Sequence, residues 1–339
     1  MKSRATSVGR QRWTGQRWAM PWSRAWIGAW VVLTLAACQR PSVSVPPPNP
    51  YVASATATAV RPSTKAQPVA TPVPGEPLAA TVDGHPIYLK EYEMQVSEWE
   101  AAFVAQNESL GAEEKQAMLA QGRQQVLDVM IEQMLIELAA AGDGIELADK
   151  EVESVIERDI QENGGREQFE VWLKANNWTY EEYKARQRSM MIASQMFERI
   201  TQSVPTQAEQ VHARHIVVAS ETEARDVLAK LQAGADLGDM ARQYSLDPST
   251  KENGGDLGFF PRGTLMVPEV EDVAFSLSVG QISDVVQSPL GYHIVQVLER
   301  VQDKDLTEES WQALKEATFR RWVSELWDAA IIELHVQMG

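Results

Sequence analysis

A single cysteine, Cys38, stands in a chain of 339 residues, so no internal disulfide can staple the fold and packing alone must hold it. Basic residues are scarce as well: 31 Lys and Arg face 47 Asp and Glu, a net charge of −16. Six of those basic residues (Lys2, Arg4, Arg10, Arg12, Arg17 and Arg24) precede Cys38, and the first acidic residue is Glu76. Without these six, 25 basic residues remain against 47 acidic ones, a net −22. Such a body lacks the clustered Lys and Arg that a phosphate backbone requires, which argues against nucleic acid as a partner. Histidines number only five. No Cys or carboxylate is spaced to complete a zinc site with His212, His215 and His293, so no metal is expected.

A long apolar run is also missing. Residues 25–37 are uncharged and largely apolar, but thirteen residues make about 20 Å of helix at ~1.5 Å each, against a bilayer core of roughly 30 Å. That length, after a basic stretch, is typical of a signal peptide. It ends in Leu35-Ala36-Ala37-Cys38, which resembles the bacterial lipobox. The expectation is a lipoprotein signal over 1–37, removed to leave a lipidated Cys38, with Met20 as an alternative start. A buried cysteine closing a transmembrane anchor is the other reading. Residues 38–77 follow as a Pro, Ser and Thr-rich tether, including Pro46-Pro47-Pro48, that cannot bury a core.

From Ala79 the texture becomes that of a folded protein. Residues 80–88 read as two short strands around an Asp83-Gly84 turn, and a helix starts near Leu89. Val126, Leu127, Met130, Ile131, Met134, Leu135 and Leu138 fall at i, i+3, i+4 and i+7, which predicts a strong amphipathic helix ending by Gly142. Further helices are expected near 149–161, 166–175 and 179–200, the last opened by a Thr179–Glu182 capping box. A final helix is expected over 306–336, with Trp311, Leu314, Trp322, Leu326 and Ile331 as its apolar stripe. The helical methionines, Met118, Met130, Met134, Met190, Met191 and Met196, read as core before they read as a groove for clients.

Between these helical stretches lies an α+β segment, 206–301. Val211 to Val218 alternates as a strand, and 224–231 and 236–244 read as helices. Tyr244-Ser245-Leu246-Asp247-Pro248 and Gly254-Gly255-Asp256-Leu257-Gly258-Phe259-Phe260 follow, then a short helix near 268–276. Two strands, 280–286 and 291–297, close it. The order of His215-Ile216, Ser245-x-Asp247, Gly255-Asp256-Leu257-Gly258-Phe259 and Gly291-Tyr292-His293-Ile294 resembles the parvulin family of peptidyl-prolyl cis/trans isomerases. The flanking pattern, with Asn163-Gly164-Gly165, Phe169, Leu173 and Thr179 to Tyr183, is similar to the N-terminal domains of the SurA and PrsA chaperones.

The resemblance implies a parvulin domain over 206–301 inserted in a mostly helical SurA- or PrsA-like module. That module comprises 78–205 and a C-terminal helix, within 302–339, packing on it. It implies His215 and His293 as paired imidazoles, Asp247 facing the amide, and Ser288 linked to the histidines. Leu257, Phe260, Met266 and Val270 then fall at the proline pocket. Val270 departs from the Phe of many parvulins, and Ala219 to Glu223 lack the basic cluster of phospho-directed ones. The implied function is isomerisation of X-Pro bonds in exported polypeptides, without a cofactor, at the outer face of a bacterial membrane to which Cys38 anchors the chain. A non-catalytic holdase is the alternative, and the oligomeric state is left open. The remaining histidines, His85, His212 and His335, read as surface or packing residues.

Overall fold

The computed structural model describes residues 75–176 and 178–336 together with Val73. The signal segment, Cys38 and most of the tether lie outside the described residues. Two compact units divide the chain; among the described residues one holds 148–187 and the other 75–147 and 188–336.

In the larger unit, β1 (Leu78–Val82) and β2 (His85–Tyr88) form a hairpin. Asp83 and Gly84 both take positive φ, the left-handed pair that an Asp-Gly turn favours. Helices α1 (Leu89–Gln106) and α2 (Ala112–Gly142) follow. The apolar stripe of α2 is buried through Leu127, Met130, Ile131 and Leu135, against Ala79, Ala80 and Val82 of β1 and against Met196.

The smaller unit holds α3 (Asp149–Glu162), α4 (Arg166–Ala175) and the opening turns of α5 (Tyr180–Thr201). Its buried apolar side chains are Val152, Ile156, Ile160, Phe169, Leu173 and Tyr183, and Phe169 meets Tyr183 edge-on with ring centroids 5.0 Å apart. The capping box forms: Glu182 N–H donates to Thr179 Oγ1 at 3.2 Å, and Thr179 N–H donates to Glu182 Oε2 at 2.8 Å.

The α+β segment is a four-stranded antiparallel sheet in the order β4-β3-β6-β5, built from β3 (Gln207–Val218), β4 (Asp256–Pro261), β5 (Val286–Ser288) and β6 (Gly291–Asp305). Both faces are covered, and strand alternation sorts the side chains between them. Ile216, Val218 and Ile294 face α6 (Glu221–Gln232) and α7 (Leu237–Tyr244) through Ala224, Val227, Leu231, Leu237 and Ala241. Val211, Ala213, Val295 and Val297 face α8 (Pro268–Ser276) through Val270, Ala274 and Phe275. The stretch 280–286, expected as a full strand, pairs only through an isolated Ile282–Gln296 bridge, and regular pairing starts at Val286. Ser283 is the reason: its N–H donates to Val295 O and its Oγ accepts from Val295 N–H, so a side chain replaces one rung of the ladder.

The C-terminal helix α9 (Glu308–Ala329) buries Trp322, Val323 and Leu326 in the same core as α2. It ends seven residues before the expected 336. Ile331 and Ile332 are β-branched and favour a strand. Asp83 captures the turn, its Oδ1 accepting from Ile331 N–H at 2.8 Å, and β7 (Ile332–Leu334) pairs with β1. Met130 and Met196 are buried in this core and Met134 packs on it, so these methionines serve packing first. Among the described residues no helix is long and apolar enough to cross a membrane.

Candidate active site

Sheet register brings the two histidines together. Val217 pairs with His293 and His215 with Val295, so His215 and His293 are diagonal neighbours on one face. Their rings stack with centroids 5.6 Å apart and planes 25° from parallel, and both are buried. The backbone here is tight. Gly255 has φ +77°, its carbonyl accepts from His215 N–H at 2.8 Å, and a Cβ on it would fall 1.9 Å from His215 O. Only glycine fits.

Asp247 reaches the pair from the loop after α7. That loop is sewn to β3: Leu246 N–H donates to Val217 O at 2.8 Å, and Ser245 Oγ accepts from Val217 N–H at 3.3 Å. Asp247 Oδ2 lies 2.9 Å from His215 Nε2 and accepts from Thr250 Oγ1 at 2.6 Å. Oδ1 accepts from Ser249 N–H at 2.9 Å and Ser249 Oγ at 2.6 Å. Partial burial pushes the carboxyl up, but the donors on Ser249, Thr250 and His215 outweigh it and hold Asp247 far below the ordinary carboxylate range. An ionised carboxylate only accepts, so the proton of that contact sits on His215 Nε2.

On the other side, Ser288 Oγ lies 2.7 Å from His293 Nε2 and accepts from Leu290 N–H at 3.0 Å. Burial, reinforced by His215 alongside and only partly offset by Asp247, lowers the His293 pKa to about 4, so the ring is neutral at pH 7. The Nδ1 atoms of both histidines are buried without a hydrogen-bond partner among the described residues. The polar set is therefore Asp247, His215, His293 and Ser288 in line, with Ser249 and Thr250 as additional donors. Sequence reasoning missed these two, although Asp247-Pro248-Ser249-Thr250 carries the signal of an Asx turn. Among the described residues no cluster of His, Cys, Asp or Glu is arranged to hold a metal ion.

The expected apolar residues are placed unequally. Phe260 is buried, Val270 is 2% exposed, and Leu257 packs partly buried on their cluster beside Leu265, Val267 and Val273. This cluster includes Val295, which shares a face of the sheet with His215. Met266 does not join it; it is 94% exposed. Leu265, one residue earlier, is the side chain that packs, and sequence reasoning missed it.

Two families match the chain: the SurA-like N-terminal domain over residues 63–197, and the PPIC-type PPIASE domain over 195–301. A foldase protein PrsA of Caldanaerobacter subterraneus subsp. tengcongensis is 37% identical over 175 residues, which is 51% of this chain and 56% of that protein. The chain thus spans little more than half the length of that relative. Foldase protein PrsA 4 of Bacillus cereus is 30% identical over 207 residues, 59% of this chain and 70% of that one. A crystal structure of the peptidylprolyl isomerase PrsA from Bacillus anthracis is 31% identical, covering 60% of this chain and 94% of its own with a TM-score of 0.46.

Proposed function

Because this chain belongs to the PrsA family of foldases, we propose that it is a peptidyl-prolyl cis/trans isomerase that speeds the folding of exported polypeptides. One observation carries the reading. Asp247, His215, His293 and Ser288 are hydrogen-bonded or stacked into a fixed set on the sheet face that also bears the Leu257 and Leu265 cluster.

Rotation about an X-Pro bond meets a barrier of roughly 18–20 kcal/mol because the amide must lose its resonance. No covalent bond changes, so the site has only to favour the twisted amide over both planar forms. The apolar cluster seats the pyrrolidine ring while the preceding carbonyl swings. The fixed negative charge of Asp247 stands on the carbonyl side and disfavours the planar form, in which that oxygen carries the most negative charge. The stacked imidazoles set the local polarity, and His293 stays neutral down to about pH 4. On this reading a parvulin unit spans 206–301, with 78–205 before it and 302–339 after it in the chain. The protein then resides outside the cytoplasmic membrane through a lipidated Cys38, which Leu35-Ala36-Ala37-Cys38 supports.

A protease-coupled assay with residues 39–339 and an X-Pro peptide tests the activity. The expected result is a rate of isomerisation that rises in proportion to protein concentration. No acceleration, together with suppression of client aggregation, would leave a non-catalytic holdase. Fatty-acid labelling that survives Cys38→Ser would remove the anchor.

A further inference from the structure

The loop between β4 and α8 carries Leu265 onto the apolar cluster and leaves Met266 in solvent. Its conformation is fixed by one buried side chain. Glu271, in the first turn of α8, accepts from Gly263 N–H at 2.7 Å, Thr264 N–H at 3.0 Å and Leu265 N–H at 3.0 Å. Three consecutive amides pointing at one carboxylate need an unusual backbone, and Gly263 supplies it at φ +88°. Thr264 Oγ1 adds a bond to Pro261 O at 2.9 Å.

Burying a carboxylate among apolar neighbours is unfavourable unless it is fully hydrogen-bonded. An apolar residue would fill this place in α8 at less risk if packing were its only duty. The three donors instead tie the loop to the helix that bears Val270, so that Leu265 and Val270 are held in fixed relation and Met266 follows at the loop's edge. Charge-assisted bonds of this kind are roughly twice as strong as neutral ones.

We infer that Glu271 is a positioning residue for substrate binding, acting through the Gly263–Met266 loop to form the wall of the proline seat. The inference rests on the isomerase reading. Glu271 touches no substrate atom; it acts on KM by holding the loop.

The test uses the full chain and an X-Pro peptide, comparing Glu271→Gln, Met266→Ala and the double variant. Glu271→Gln turns an amide NH2 toward the loop donors and breaks at least one bond. The expected result is a fall in kcat/KM of about tenfold, carried by KM, as a displaced wall produces. The amides of Gly263, Thr264 and Leu265 exchange faster, and the NMR titration of His293 does not move. Adding Met266→Ala to Glu271→Gln then costs less than it does in the wild type, because both act on one loop. If Glu271→Gln fails to fold, Thr264→Val removes the Pro261 bond and must raise KM in the same way. Wild-type kcat/KM in Glu271→Gln, full additivity with Met266→Ala, or a fall in kcat with a shifted His293 titration would each overturn the inference. An inactive wild type would instead overturn the isomerase reading, and the inference with it.

Discussion

The polar and apolar halves of the site are held in place by different means. Every polar side chain but one end of each imidazole is hydrogen-bonded to a neighbour, and Asp247 contacts Ser249, Thr250 and His215 together. The apolar half has no such lattice. Its floor, Phe260 and Val270, is ordinary core, while Met266 at its edge touches little. The polar half is therefore rigid by bonding and its parts should fail together. The apolar half should separate into residues that matter for stability and residues that matter for binding.

The polar half is most vulnerable at Asp247. Asp247→Ala leaves Thr250, Ser249 and His215 without their common acceptor, and kcat/KM should fall by about a hundredfold, the scale of one lost electrostatic group. A steady-state assay on protein with an unchanged circular dichroism spectrum reads this. Ser288→Ala comes next. It strips the buried His293 Nε2 of its partner at a cost of about 1–3 kcal/mol, seen as a lower urea midpoint.

The apolar half should respond in two ways. Val270→Phe, which restores the residue many parvulins carry, forces a larger side chain into a site 2% exposed and should destabilise by about 1–3 kcal/mol in a urea melt. Met266→Ala should leave that midpoint unmoved and raise KM only about threefold, because a 94% exposed side chain adds to binding and not to packing.

Acidification affects the polar half alone. The folded pKa of His293, about 4, lies below its ordinary 6.5, so between these values the unfolded chain binds a proton that the native protein does not. Stability is whole above pH 6.5 and declines as pH falls toward 4. Below that, Asp247, whose folded pKa is also depressed, extends the loss as it protonates. Thermal midpoints from pH 7 to 4 should fall, and fall less in His293→Asn.

Much of this was legible because it depends on pattern. Strand alternation in Val211 to Val218 placed His215 on a strand, and the resemblance to parvulins, carried by His215-Ile216, Ser245-x-Asp247 and Gly291 to Ile294, singled out both imidazoles and the acid. What the sequence hid depends on where a backbone turns. Leu265 and Met266 are adjacent and both apolar, and only the loop held by Glu271 decides which one packs. Glu271 itself lies beside Glu269 and Asp272 and reads as one more exposed acid of a helix start. The last helix looked longer because Ile331 continues its apolar stripe, and the strand that takes over there needs Asp83 and β1, some 250 residues away in sequence. Long-range pairing overrode local period.

Two-dimensional exchange NMR on an X-Pro peptide, with the protein at a small fraction of the peptide concentration, observes the isomerisation itself. Cross peaks linking the cis and trans signals should appear with the wild-type chain and vanish with Asp247→Ala, while the variant's own amide spectrum keeps its dispersion. Exchange undiminished in Asp247→Ala, or absent from the wild type, would mean that this site does not catalyse isomerisation.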